Sequence, residues 1–215
     1  MIKLYGSSGS PFVRKVQLTL EYKELPYEQI PIGPGMSPPN WLEISPLGKM
    51  PALEHDGFRV PDSSVICRYL DEVFPARSIY PTDIRARATA CWFEEYGDSR
   101  LVENVTVFFF ERVIKPTFFK QPTDETRLVA VERDGVPPVL DYLERNVPAS
   151  GFLSGESLTI ADFGIASPFL TGKMGGFWPG AKYRKLNTYL DRVCATPVFA
   201  KRLEKEAAEF AALRR

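Results

Sequence analysis

With 215 residues, 44% of them hydrophobic and 25% charged, the chain is long enough to bury a good core and fits one or two domains. Lys+Arg and Asp+Glu both number 27, divided 8 against 9 up to Tyr80 and 19 against 18 beyond it, so neither half is basic enough to imply nucleic acid or an anionic membrane as partner. No long apolar stretch follows Met1, and Cys67, Cys91 and Cys194 form no CxxC pair; a cytoplasmic address is expected, without a disulfide framework, zinc site or dithiol motif.

In chain order, Ile2-Lys3-Leu4-Tyr5 alternates like a strand, and Val13, Val16 and Leu20 recur at helical spacing in a segment opened by Ser10-Pro11. Tyr27 to Ile32 reads as a second strand, Gly33 to Pro39 as loop, and Trp41 to Ile44 as a short helical turn. Pro51 to His55, then Asp56-Gly57, then Phe58-Arg59-Val60 has the pattern of a hairpin, because Asp-Gly supplies the positive φ angles of a type I′ turn. Ser63 to Phe74 closes this part as a helix. The order predicts an α/β domain over 1–77 with a mixed sheet of about four strands.

Beyond Pro75 the strand signals stop. Helical periodicity runs from Arg85 to Val113, with Trp92, Tyr96 and Val102 expected inside. Another helix starts at Thr123-Asp124-Glu125 and must break or restart at Pro137-Pro138, and Thr196-Pro197 opens a last one rich in Ala and Glu. These give an all-α domain over 84–215. Within it, Thr159-Ile160-Ala161-Asp162 is a variant capping box for a core helix.

Much chemistry is missing from this pattern. His55 is the only histidine and sits where the hairpin needs a strand residue, so there is no obvious Ser-His-Asp or Cys-His relay and no His-rich metal cluster. Glu94-Glu95 is a poor acid-base pair, because neighbours in a helix point to different faces, and no GxGxxG or Walker A sequence occurs. What remains is a set of parts for a small anionic, thiol-bearing peptide: Ser10 at a helix start, Lys49-Met50-Pro51 at a strand edge, and Asp62-Ser63 at a second helix start. A serine without a base is a weak nucleophile but a competent hydrogen-bond donor, and its plain N-cap role is compatible with that. A thiolate at this point would gain one charge-assisted hydrogen bond, about 1.5–3 kcal/mol, and a helix N-terminus contribution of about 0.3–1 kcal/mol. At about 1.36 kcal/mol per unit, a thiol near 8.5 would fall to about 7 or below and be largely ionised at neutral pH.

These motifs, in this order and spacing over nearly the whole chain, resemble a cytosolic glutathione transferase of a serine-type, bacterial-like kind: Ser10-Pro11-Phe12-Val13-Arg14, Ser45-Pro46-Leu47-Gly48-Lys49-Met50-Pro51, Asp62-Ser63 and the capping box. The resemblance implies the glutathione transferase fold, a thioredoxin-like N-terminal domain followed by an all-helical one. It implies that Ser10 is the catalytic donor to the glutathione thiolate and that Met50, before a cis Pro51, pairs its backbone with the cysteinyl part. Asp62 would take the γ-glutamyl ammonium and Ser63 its carboxylate, with Lys49 near the peptide's acidic groups. Tyr5 and Ser8 are possible secondary donors. No metal and no prosthetic group are implied, glutathione being a co-substrate, and a homodimer is.

Two departures are visible. The loop Gly33-Pro34-Gly35-Met36 lacks the basic residue or His with which many relatives anchor the glycyl carboxylate, and Gly9 stands where the isomerase branch has a cysteine. The expected reaction is addition of the thiolate to a small apolar electrophile, in a pocket that draws on aromatics of the Trp92 to Phe119 region. The alternatives are a non-catalytic binding or scaffold protein of the same fold, and a maleylacetoacetate-type isomerase or a dehalogenase.

Overall fold

The computed structural model describes residues 1–33 and 35–213; Pro34, in the loop expected over Gly33 to Pro39, lies outside them. In chain order the elements are β1 (Ile2–Tyr5), α1 (Pro11–Tyr22), β2 (Tyr27–Ile30), α2 (Trp41–Ile44), β3 (Ala52–His55), β4 (Phe58–Pro61) and α3 (Ser63–Val73). Helices follow: α4 (Ile84–Tyr96), α5 (Val102–Val105), α6 (Val107–Phe109), α7 (Lys115–Phe118), α8 (Glu125–Ala130), α9 (Val136–Asn146), α10 (Ile160–Met174), α11 (Arg184–Cys194) and α12 (Pro197–Leu213). The chain divides into two compact units, Met1–Tyr80 with Ala195–Arg215, and Pro81–Cys194.

The sheet of the first unit has the order β2-β1-β3-β4. β1 and β2 are parallel, joined by the α1 crossover, whereas β3 runs antiparallel to both β1 and β4. The β3–β4 hairpin turns on Asp56 and Gly57, at φ +49° and +88°, the pair of left-handed residues that a two-residue turn of this kind needs. In register, Tyr5 lies opposite Ile30 on one side and Ala52 on the other, and Ala52 lies opposite Pro61. One end of the sheet is therefore formed by the ends of β1, β2 and β4 and the beginning of β3. That end determines where the site can be.

α1 is buried nearly all round, from Val13 through Leu20. Its apolar positions Val13, Val16, Leu18 and Leu20 have no exposed surface, each contributing about 1.5–3 kcal/mol by burial. A helix covered on every side brings its charged residues inside as well, and these must then be paired. Lys15 Nζ donates to Ser64 Oγ at 3.0 Å, and Arg14 donates through Nε and Nη2 to the two carboxylate oxygens of Glu206 on α12, at 2.8 and 2.9 Å. Arg202 of α12 reaches Glu21 of α1 at 3.3 Å. The sequence pattern counts the last helix with the 84–215 domain; these ion pairs hold it on α1, in the first compact unit.

The second unit is all-α among its described residues. α4 continues through a π-helical turn, Gly97–Leu101, and another such turn, Val131–Gly135, leads into α9 with Pro137 in its first turn. The expected restart at Pro137-Pro138 is thus a turn of different pitch. Trp92, expected inside, is half exposed, with its indole N–H donating to the Tyr142 hydroxyl at 2.6 Å; the buried positions are Phe93, Leu101 and Val105. Glu111 is buried and accepts from Lys115, Arg127 and the Asp124 N–H at 2.8, 2.9 and 3.0 Å. The Lys115 ammonium, and after it the Asp124 N–H and the Arg127 guanidinium, hold its carboxyl below the usual carboxylate range.

Candidate active site

Three segments meet at the defined end of the sheet: the β1–α1 loop, the residues before β3, and those after β4. Ser10 is the N-cap of α1, with Pro11 at the first helical position, and its oxygen accepts from the Val13 N–H at 3.4 Å. That distance is beyond the usual range for such a bond, so the cap commits little of the hydroxyl. Among the described residues none accepts from the Ser10 O–H, and Ser10 is half-buried. Gly6 is needed beneath this loop, because a Cβ there would lie 2.4 Å from Val13 Cγ2.

Met50 is half-buried and Pro51 buried, and the peptide bond between them is cis. The Ser45 hydroxyl donates to the Lys49 carbonyl at 2.7 Å, shaping the turn before Met50. Among the described residues the Met50 backbone N–H and C=O have no hydrogen-bond partner, so a strand-like pair of groups stays open beside β1. Lys49 is exposed.

Asp62 caps α3, its Oδ1 accepting from the Ser64 and Val65 N–H groups at 3.0 and 3.2 Å. Its backbone stands at φ +76°, ψ +130°, a region that L residues occupy only where the surroundings impose it. Ser63 is buried in the first turn, and among the described residues none accepts from its N–H or its hydroxyl. A helix N-terminus with an open N–H and an open hydroxyl is a site for a carboxylate.

The two secondary donors lie elsewhere. Tyr5 is buried in an apolar cluster with Ile32, Trp41, Ile44 and Ala52, its ring centroid 6.2 Å from that of Trp41. Ser8 is buried too, and its oxygen accepts from Gln17 Nε2 at 3.0 Å. Ser10, Met50, Asp62 and Ser63 are brought to one sheet end; Tyr5 and Ser8 face into the protein.

Comparison with known proteins gives the family. Residues 4–78 match the family model for the glutathione S-transferase N-terminal domain, and residues 109–197 that for the glutathione S-transferase C-terminal domain. The chain belongs to the glutathione S-transferase family. It is similar to glutathione S-transferase U1 of Arabidopsis thaliana, 27% identical over 180 residues that make up 83% of this chain and 74% of that one. Pyrimidodiazepine synthase of Drosophila melanogaster is 32% identical over 174 residues, 77% of this chain and 62% of its own. A solved glutathione S-transferase from Rhodospirillum rubrum F11 has a TM-score of 0.82 at 27% identity, covering 93% of this chain and 90% of that one.

In this chain the aromatic run of the second unit is divided. Phe108 and Phe109 are buried, Phe108 stacked on Phe177 at 4.7 Å, while Phe110, Phe118 and Phe119 are 41%, 42% and 50% exposed. Among the described residues no helix is long and apolar enough to cross a membrane. Arg14 and Lys15, buried behind the loop and behind α3, carry no signal of that placement in the sequence, where adjacent cations on a helix read as a solvated face.

Proposed function

We propose that this chain is a glutathione transferase in which the Ser10 hydroxyl donates to the glutathione sulfur and holds it as a thiolate, ready to attack a small hydrophobic electrophile. The observation that carries this reading is the set of open groups at one sheet end: the Ser10 O–H, the Met50 N–H and C=O, and the Ser63 N–H and hydroxyl. An extended tripeptide with a central thiol offers complementary groups in the same order. Its cysteinyl backbone pairs with Met50, its γ-glutamyl carboxylate sits at Ser63 on the α3 N-terminus, and its ammonium meets Asp62. Lys49, exposed beside Met50, faces the remaining acidic groups of the peptide.

In the reaction the thiol proton leaves to solvent and the thiolate forms the new sulfur–carbon bond. With an aryl halide the halide departs with its bonding pair. With a conjugated double bond that pair moves onto the substrate and is protonated by water. Ser10 supplies no proton to the electrophile; it stabilises the sulfur charge before attack. A cytoplasmic homodimer completes the reading, supported by the family.

The test is Ser10→Ala, with conjugation measured at neutral pH and binding measured with S-methylglutathione, which has no thiol to ionise. Loss of one charge-stabilising donor is expected to lower kcat/KM by about 10²-fold. Affinity for the methylated peptide should stay within about threefold, since its backbone and carboxylate contacts are untouched. Wild-type turnover in the variant would remove Ser10 from the reaction.

A further inference from the structure

The loop that presents Ser10 is held from beneath by a carboxylate 192 residues away in the chain. Arg14, with no exposed surface, grips both oxygens of Glu206, and its Nη2 also donates to the Ser8 carbonyl at 3.3 Å. Glu206 is itself buried, and a second guanidinium, Arg202 Nε, stands 3.5 Å from it. Arg202 is fixed in turn by Glu209 at 2.7 Å and Glu21 at 3.3 Å. Burying such charges is costly, and apolar side chains of similar volume would join α1 to α12 at least as well. Adhesion between the helices therefore does not account for the pair. The donation to Ser8 does.

The stretch Ser7–Ser10 has other fixed points among the described residues. The Ser7 hydroxyl donates to the Ile32 carbonyl at 2.6 Å, Gln17 donates to Ser8 Oγ, and the Ser10 N–H donates to the Ser7 carbonyl at 3.0 Å. Arg14 is the charged anchor of this set, and the direction of its fork is set by Glu206.

We propose that Glu206 is a positioning residue for Ser10: by orienting Arg14 onto the Ser8 carbonyl, it fixes the β1–α1 loop so that the Ser10 hydroxyl is aimed at the thiolate. The proposal rests on the role given to Ser10 above. Lacking this anchor, the loop keeps its cap and its glutathione contacts elsewhere, but the hydroxyl is no longer held to the tolerance that a preorganised donor needs.

The experiment compares wild type, Ser10→Ala, Glu206→Gln and the double variant Arg14→Met with Glu206→Leu. Glu206→Gln keeps the volume while turning an amide NH₂ toward the guanidinium. The double variant removes both charges and fills the space, so it keeps the test open if Glu206→Gln does not fold. The readouts are the ultraviolet titration of the bound glutathione thiolate, kcat and KM with an aryl halide, and hydrogen exchange at the Ser10 amide.

The folded clamp variants should lower kcat by about tenfold to a hundredfold, the range associated with misplacing a reacting group by about 1 Å. KM for glutathione should change by less than about threefold, the bound thiol should titrate closer to free glutathione, and the Ser10 amide should exchange faster. Folded variants with the wild-type titration and kcat would overturn the proposal, as would a loss of activity proportional to the unfolded fraction. A wild-type thiol that titrates like free glutathione would sink the Ser10 reading, and the clamp with it. An effect in Ser10→Ala without one in the clamp variants would sink the clamp alone.

Discussion

Two helix starts in this chain use their polar side chains to opposite ends. At α10 the Asp162 carboxylate is fully buried and takes donors from the Thr159 N–H at 2.8 Å, the Tyr189 hydroxyl at 2.8 Å, the Leu153 N–H at 3.1 Å and the Thr159 hydroxyl at 3.2 Å. Burial pushes that carboxyl upward, and the four donors oppose the shift. At α1, Ser10 accepts one long bond, and its own hydrogen has no acceptor among the described residues. A saturated cap stabilises the fold and has nothing left to offer a ligand. An unsaturated cap gives up stability and keeps a donor for chemistry.

The sharpest way to break this comparison is to damage the saturated end. Asp162→Ala strands the Tyr189 and Thr159 hydroxyls and the Thr159 and Leu153 N–H groups, so it should cost about 3–5 kcal/mol, read as a lowered urea midpoint. Protein that remains folded should bind glutathione as before. If instead thiol ionisation changed while stability held, the division between the two helix starts would be wrong.

Glu111 extends the same test to pH. Its folded carboxyl is held below the usual range, so its contribution is present above that range and is lost as the pH falls through the folded value. The urea midpoint of wild type should therefore drop between about pH 7 and pH 3 more steeply than that of Glu111→Gln, which should start about 2–3 kcal/mol less stable at neutral pH. Parallel pH profiles for the two proteins would contradict the pairing.

A smaller effect separates stability from binding at α3. Asp62→Gly loses a cap but relieves a backbone at φ +76°, two terms of about 1 kcal/mol that oppose each other. Stability should stay within about 1 kcal/mol of wild type. Glutathione should nonetheless bind about tenfold more weakly, as expected for a lost charge-assisted bond to its ammonium. Unchanged affinity by calorimetry would remove Asp62 from the site.

Local chemistry was the legible part of this fold. Asp56-Gly57 demanded a hairpin, Ser10-Pro11 a helix start, and Thr159 to Asp162 a capping box, because each is decided by residues a few positions apart. Trp92 was misplaced because helical spacing assigns a large aromatic to the core, whereas this one keeps its ring half in water and uses its N–H on Tyr142. The Arg14–Glu206 pair had no local signature at all. Nothing near either residue marks it as buried, and only the packing of α12 on α1 brings them together. At the sheet end, the three segments were readable as motifs, but that Met50 and Ser63 keep open donors, and that Ser8 is buried against Gln17, follows from packing.

The central claim is that a lightly used helix cap holds a sulfur anion, and titrating the thiol of enzyme-bound glutathione tests it most directly. In wild type the ultraviolet absorbance of the thiolate should rise with a midpoint about 1.5–2 units below that of free glutathione, as one charge-assisted hydrogen bond and a helix N-terminus would give. In Ser10→Ala most of that difference should vanish. A midpoint equal to that of free glutathione in wild type, or equally lowered in the variant, would contradict the account.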